Sequence, residues 1–203
     1  MKRPARLIGV CLTDEPPAGV APGSERDKHC AFMGRARTEA PLCVPADNID
    51  CPLARYHLAI GPADLGRLGE TLAGWNDSRD AETGRRFAQE GPRLEDSPSF
   101  LLYFPHPTEG LRADVLVAIT SAEEAYRLAK RGAAWNGDRL MASISGVGAA
   151  CGECTAYTLT TGRATVSLGC GGSRPAIGLE PGELLVAAPR GAGLYDILAS
   201  EGA

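Results

Sequence analysis

The chain has 203 residues, 44% of them hydrophobic, and a formal net charge of -4 from 21 Lys plus Arg against 25 Asp plus Glu. A mildly acidic chain without a basic run is a poor nucleic-acid binder, and no stretch approaches the roughly 20 apolar residues that span a bilayer. The length suits one domain, taken here as residues 1–203, with a core that needs no disulfide staples.

Met1-Lys2-Arg3 is followed by Pro4, and the apolar run Leu7 to Leu12 falls short of the about 7–15 residues of a signal-peptide core. The expected compartment is therefore the cytoplasm, where thiols stay reduced. Residues 5–13 read as a strand, ended by Pro16-Pro17. Residues 27–39 predict a helix that starts at Asp27, with Cys30 in its first turn. Pro41 and Pro45 bracket a short extended piece. Cys51 precedes Pro52, and proline favours the first helical position, so Cys51 is the expected N-cap of a short helix. Pro62 opens a further helix with Leu65, Leu68, Gly69 and Leu72 on one face. Residues 76–98 are polar and read as a short exposed helix plus loop.

Residues 99–104 and 113–119 are strands by composition. The second leads into Ser121-Ala-Glu-Glu124, a capping box, and its helix is expected to stop at Gly132. Residues 139–145 read as a strand, 149–158 as a helix, 163–168 and 183–188 as strands, and about 193–200 as a last helix. Strands and helices interleave irregularly, which predicts an α+β fold: one mixed β-sheet with helices packed on it.

Seven cysteines at uneven spacing make a disulfide framework the wrong default. Cys151-Gly152-Glu153-Cys154 lies at an expected helix N-terminus, where partial positive charge favours a thiolate. Cys151 is then a candidate nucleophile with Cys154 as its resolving partner; two small buried residues are the plain alternative. Gly169-Cys170-Gly171-Gly172-Ser173-Arg174 offers an uncrowded sulfur and successive backbone N–H groups. Such a loop suits an anion nest with Arg174 as a clamp, or donors to cluster sulfurs; a tight turn with a surface arginine accounts for it equally well. His29-Cys30 offers N and S ligands, but His29 beside Lys28 reads as a solvated side chain. Cys11 reads as a core residue in a strand, and His57 and His106 have no partner visible in sequence. Gly146-Val-Gly-Ala-Ala-Cys151 misses the dinucleotide fingerprint at its last glycine.

The run from Cys151 through TAYTLTTGRATVSLGCGGSRPAIGLEPGELLVAAP resembles the most distinctive segment of the domain of unknown function 169 family. IGVCLTDEPPAGV and the Cys30 to Cys51 segment fit the same pattern. The resemblance implies a shared fold, and it implies four shared cysteines: Cys30, Cys51, Cys151 and Cys170. Cys11, Cys43 and Cys154 depart from the pattern, which weakens the paired-thiol reading.

Four thiolates are the usual complement of an iron–sulfur cluster, and equally of structural zinc. Zinc modules usually bring ligands as close pairs, and these four do not pair. The expectation is thus an iron–sulfur cluster serving electron transfer or substrate binding, with zinc as the alternative cofactor. A thiol enzyme using Cys151 and Cys154, and a non-catalytic small-ligand domain, are the other two classes. The expected partner is a small molecule or an electron-transfer protein, with no nucleic acid and no membrane; a homodimer is the base-rate default.

Overall fold

The structure is a computed structural model and describes residues 5–142 and 144–201. Met1 to Pro4, read above for a leader, and Ser143, inside an expected strand, lie outside these residues. Among the described residues no helix is long and apolar enough to cross a membrane.

Seven strands form one mixed sheet: β1 (Leu7–Thr13), β2 (Leu42–Pro45), β3 (Phe100–Pro105), β4 (Val115–Ser121), β5 (Met141–Ala142), β6 (Thr165–Ser167) and β7 (Glu183–Pro189). Their order is β2-β3-β1-β4-β7-β6-β5, and every pair is antiparallel except β5 with β6. The two-residue alternation of a strand sends its side chains to two separate cores. Val115, Val117 and Ile119 of β4 join one core, while Leu116 and Ala118 join the other. Both faces are covered, so the central strands read as continuous apolar runs.

The first face carries α1 (His29–Arg35), α2 (Pro52–His57), α3 (Leu65–Gly74), α4 (Ala81–Glu90), a π-helix (Ala149–Ala156) that continues into α6 (Tyr157–Thr161), and α7 (Ser173–Ile177). The second face carries α5 (Ala122–Asn136) and α8 (Gly193–Glu201). The expected α+β architecture is present, and all the candidate chemistry except Cys11 and Cys43 lies on the first face.

Local signals explain most boundaries. Ser121 Oγ accepts from the Glu124 N–H while the Glu124 carboxylate accepts from the Ser121 N–H, the reciprocal box that starts α5. Two expectations need correction. The α5 helix passes through Gly132 and ends at Gly137, which takes the left-handed conformation at φ 78°. Of the strand expected over 139–145, the described residues pair as strand at Met141–Ala142. Its end is diverted because the Ser145 N–H donates to the Glu153 carboxylate at 2.6 Å rather than to a neighbouring strand.

Candidate functional site

Cys30 is the second residue of α1, buried at 9% exposure. The helix packs on β3, on the π-helix and on α7. Its contact with α7 depends on Gly34, since a Cβ there would lie 2.0 Å from the Ala176 carbonyl oxygen.

Cys51 is the N-cap of α2, with extended backbone (φ -142°, ψ 119°) and Pro52 at the first helical position, as the sequence predicts. Backbone N–H groups of Ala54 and Leu53 face its sulfur and favour the thiolate. Burial is the larger influence and raises the thiol above its ordinary value.

Cys151 is the third residue of the π-helix, which Gly148 opens from a left-handed φ of 67°. A π-turn widens the helix, and such turns recur at functional sites. The Cys151 thiol donates to the Gly148 carbonyl at 3.6 Å, and the Gly152 N–H donates to the same carbonyl at 2.7 Å. Burial, then Cys51, Cys170 and Cys30, push this thiol well up.

Cys170 and Ser173 hold each other reciprocally: the Cys170 N–H donates to Ser173 Oγ at 2.8 Å, and the Ser173 N–H donates to Cys170 Sγ at 3.3 Å. That exchange turns the chain into α7.

The four cysteines, 140 positions apart at their extremes in sequence, line one cavity of about 420 Å³. Cys30 is pushed from 9.0 up to about 12, first by burial and then by Cys170 and Cys51. Lys28 at the rim pulls Cys30 and Cys51 the other way. Leu53, Ala54 and Val147 make much of the remaining wall apolar, while Trp75 and Asp77 stand exposed at the mouth.

The shifts carry a pH prediction. A proton held more tightly by the folded than by the unfolded chain stabilises the fold below the unfolded value, and that stabilisation is lost as pH rises through the folded one. For Cys30 the window runs from about 9 to about 12. Cys51 and Cys151 shift in the same direction. The metal-free protein is therefore expected to lose denaturant midpoint steadily as pH rises into this window. A flat midpoint there contradicts the burial of these thiols.

Several expected residues fall elsewhere. Cys154 lies outside the cavity in the core, where burial first and then the neighbouring Glu153 raise its thiol. All seven cysteines are free thiols. A low-pKa Cys151 with Cys154 as its resolving partner is thus not what the burial and placement favour. Arg174 is corrected outright. Its guanidinium donates to the Leu168, Glu183 and Glu180 carbonyls at 2.6, 3.0 and 2.8 Å, so it braces the loop instead of clamping an anion.

The loop amides are largely engaged too. The Gly169 N–H donates to Ser167 Oγ and the Arg174 N–H to the Cys170 carbonyl, which leaves little of an anion nest. Gly171, Gly172 and Ser173 do line the cavity, whereas Gly169 supplies the left-handed turn at φ 79°.

His29 is the second correction. It is 1% exposed rather than solvated, with Nδ1 2.8 Å from the Tyr103 hydroxyl and Nε2 3.0 Å from Thr155 Oγ1. Burial depresses it from 6.5 to about 3, so it is neutral, and both ring nitrogens are engaged and unavailable to a metal. His57 is also buried, with Nδ1 on the Pro92 carbonyl at 2.5 Å. Cys11 and Cys43 face the opposite core. Sequence reasoning missed Tyr103, Thr155, Trp75 and Asp77 as parts of the site. It also missed Glu153, whose buried carboxylate accepts from Ser145 and Ser167 and pins the segment before the π-helix.

Among the described residues no three or more His, Cys, Asp and Glu side chains stand closely enough to hold one metal ion as they are. A single tetrahedral zinc needs its sulfurs at about 2.3 Å from one centre. A cluster spreads four thiolates over several irons, so its ligands stand further apart.

The family model of DUF169, described as "Uncharacterised ArCR", matches residues 3–193. An uncharacterised protein of Methanocaldococcus jannaschii, MJ0308, is 26% identical over 179 residues, covering 87% of this chain and 77% of that protein. No solved structure matches.

Proposed function

The chain belongs to the DUF169 family, and from that premise we propose that it is an iron–sulfur protein whose cluster is held by Cys30, Cys51, Cys151 and Cys170. The observation that carries this reading is their meeting in one cavity of about 420 Å³. Four thiols from four distant segments need a common reason to share a pocket, and a shared ligand supplies one. The Ser173 N–H directed at the Cys170 sulfur supports it, because such donors stabilise thiolate charge and tune a cluster.

A cluster bound there supplies one-electron chemistry or a Lewis-acidic iron. The chain's own residues do the rest. The thiols release their protons on binding, which reverses the upward shifts that burial imposes. Leu53, Ala54 and Val147 keep water from the sulfurs, and Lys28 offsets negative charge at the rim. Access is from the side of Trp75 and Asp77, where a small molecule or an electron-transfer partner reaches the site.

Zinc is the alternative occupant; zinc modules usually bring their ligands as close sequence pairs, and these four cysteines do not pair. Anaerobic reconstitution with ferrous iron and sulfide tests the proposal. A broad visible absorption that survives desalting is the expected result. A colourless protein after reconstitution sinks the cluster and moves the reading to small-ligand binding in the same cavity.

A further inference from the structure

His29 lines the cavity, and it joins Tyr103 and Thr155 in a buried hydrogen-bonded chain behind it. Thr155 Oγ1 donates to the Ala150 carbonyl at 2.9 Å, so toward His29 Nε2 it acts as acceptor. A hydroxyl has one proton to give. His29 therefore carries its hydrogen on Nε2, and its bare Nδ1 accepts from the Tyr103 hydroxyl at 2.8 Å. One neutral tautomer satisfies the two ring nitrogens and both hydroxyls.

The chain joins three elements and two of the four cysteines. Tyr103 belongs to β3, His29 directly precedes Cys30 in α1, and Ala150 directly precedes Cys151 in the π-helix. The Tyr103 ring also stacks on Phe32 of α1 with centroids 5.7 Å apart. The widened π-turn is what lets Thr155 reach a carbonyl five residues back. Every residue of the chain is buried, so no water replaces a lost bond at low cost.

Resting on the iron–sulfur reading for its metal arm, we propose that Tyr103, His29 and Thr155 are positioning residues that fix Cys30 against Cys151 at the spacing a cluster requires. None of the three is a ligand. His29 acts through Cys30 beside it, Thr155 through the Ala150 carbonyl next to Cys151, and Tyr103 through His29, as partners of metal ligands commonly do.

Thr155→Val removes the hydroxyl at nearly constant volume, and Thr155→Ser keeps it. In full-length reconstituted protein, Thr155→Val is expected to retain iron about 10–100-fold less well against a chelator, with Thr155→Ser close to the parent. A merely structural role would lower iron retention only in proportion to the loss of denaturant midpoint, which is measured on both variants. The second readout uses metal-free protein: alkylation of Cys30 and Cys151 by iodoacetamide, read by mass spectrometry. Loss of one buried hydrogen bond should speed it roughly tenfold in Thr155→Val and leave Thr155→Ser unchanged.

Equal alkylation in Thr155→Val and the parent overturns the positioning role, whether or not iron binds. If the parent takes no iron but alkylation responds as expected, the positioning role stands and the cluster reading fails. If Thr155→Val does not fold, Tyr103→Phe, which deletes only a hydroxyl, carries the same two readouts and the same overturning result.

Discussion

Cys170→Ser is expected to reduce bound iron in anaerobically reconstituted protein to background while leaving the fold intact. Cys170 is partly buried and sits in a loop, so one oxygen for one sulfur changes little packing there. A serine can still accept the Ser173 N–H that now meets the sulfur at 3.3 Å. What it cannot supply is a thiolate, the ligand type that clusters require. Cys43→Ser is the matched control. That cysteine lies on the opposite face of the sheet, in β2 across from Leu102, so iron content should be unchanged whatever the variant does to stability. Iron content and visible absorption measured on both variants decide it. Undiminished iron in Cys170→Ser removes that residue from the ligand set.

Gly34→Ala is expected to destabilise the protein by about 3 kcal/mol, at the upper end of ordinary overpacking. The added Cβ would sit 2.0 Å from the Ala176 carbonyl oxygen and 3.2 Å from the Ile177 Cα. These are backbone atoms, so no side-chain rotation relieves the clash, and α1 must move away from α7. For a chain of this length the loss corresponds to roughly 6–12 °C in melting temperature. The helices that separate position Cys30 and Cys170, so iron retention should fall with stability. Gly74→Ala is the control: nothing lies within 4 Å of its added Cβ, and alanine is the better helix former. A Gly34→Ala variant that melts with the parent contradicts the close α1–α7 approach.

Where the causes are local, the sequence made them readable. Cys51 before Pro52 reads as a helix start because proline fits the first turn, and Cys51 is the N-cap. The Ser121 and Glu124 box is legible for the same reason. Gly132 and Gly137 show the limit. Both are glycines near a helix end, but Gly132 faces Leu194 of α8 across an ordinary contact, and Gly137 alone takes positive φ. Only the tertiary neighbour distinguishes them.

The site divides likewise. The identity of the four cysteines came from the family pattern, whereas their convergence depends on how α1, α2, the π-helix and α7 pack on one face of the sheet. His29, Cys30, Phe32 and Met33 repeat at helical spacing and mark a buried face. The adjacent Lys28 disguised it. Arg174 misled in the opposite direction, because its three carbonyl partners at Leu168, Glu180 and Glu183 are set by the loop's path. Tyr103 sits in an apolar strand and carries no signal until His29 lies against it.

The most direct test of the central claim is the iron, zinc and acid-labile sulfide content of the full chain isolated without oxygen. Brown protein with iron and sulfide in equal amounts is the predicted result. Zinc without sulfide would replace the cluster with a single ion, and colourless, metal-free protein that also resists reconstitution would contradict the assignment of these four cysteines as ligands.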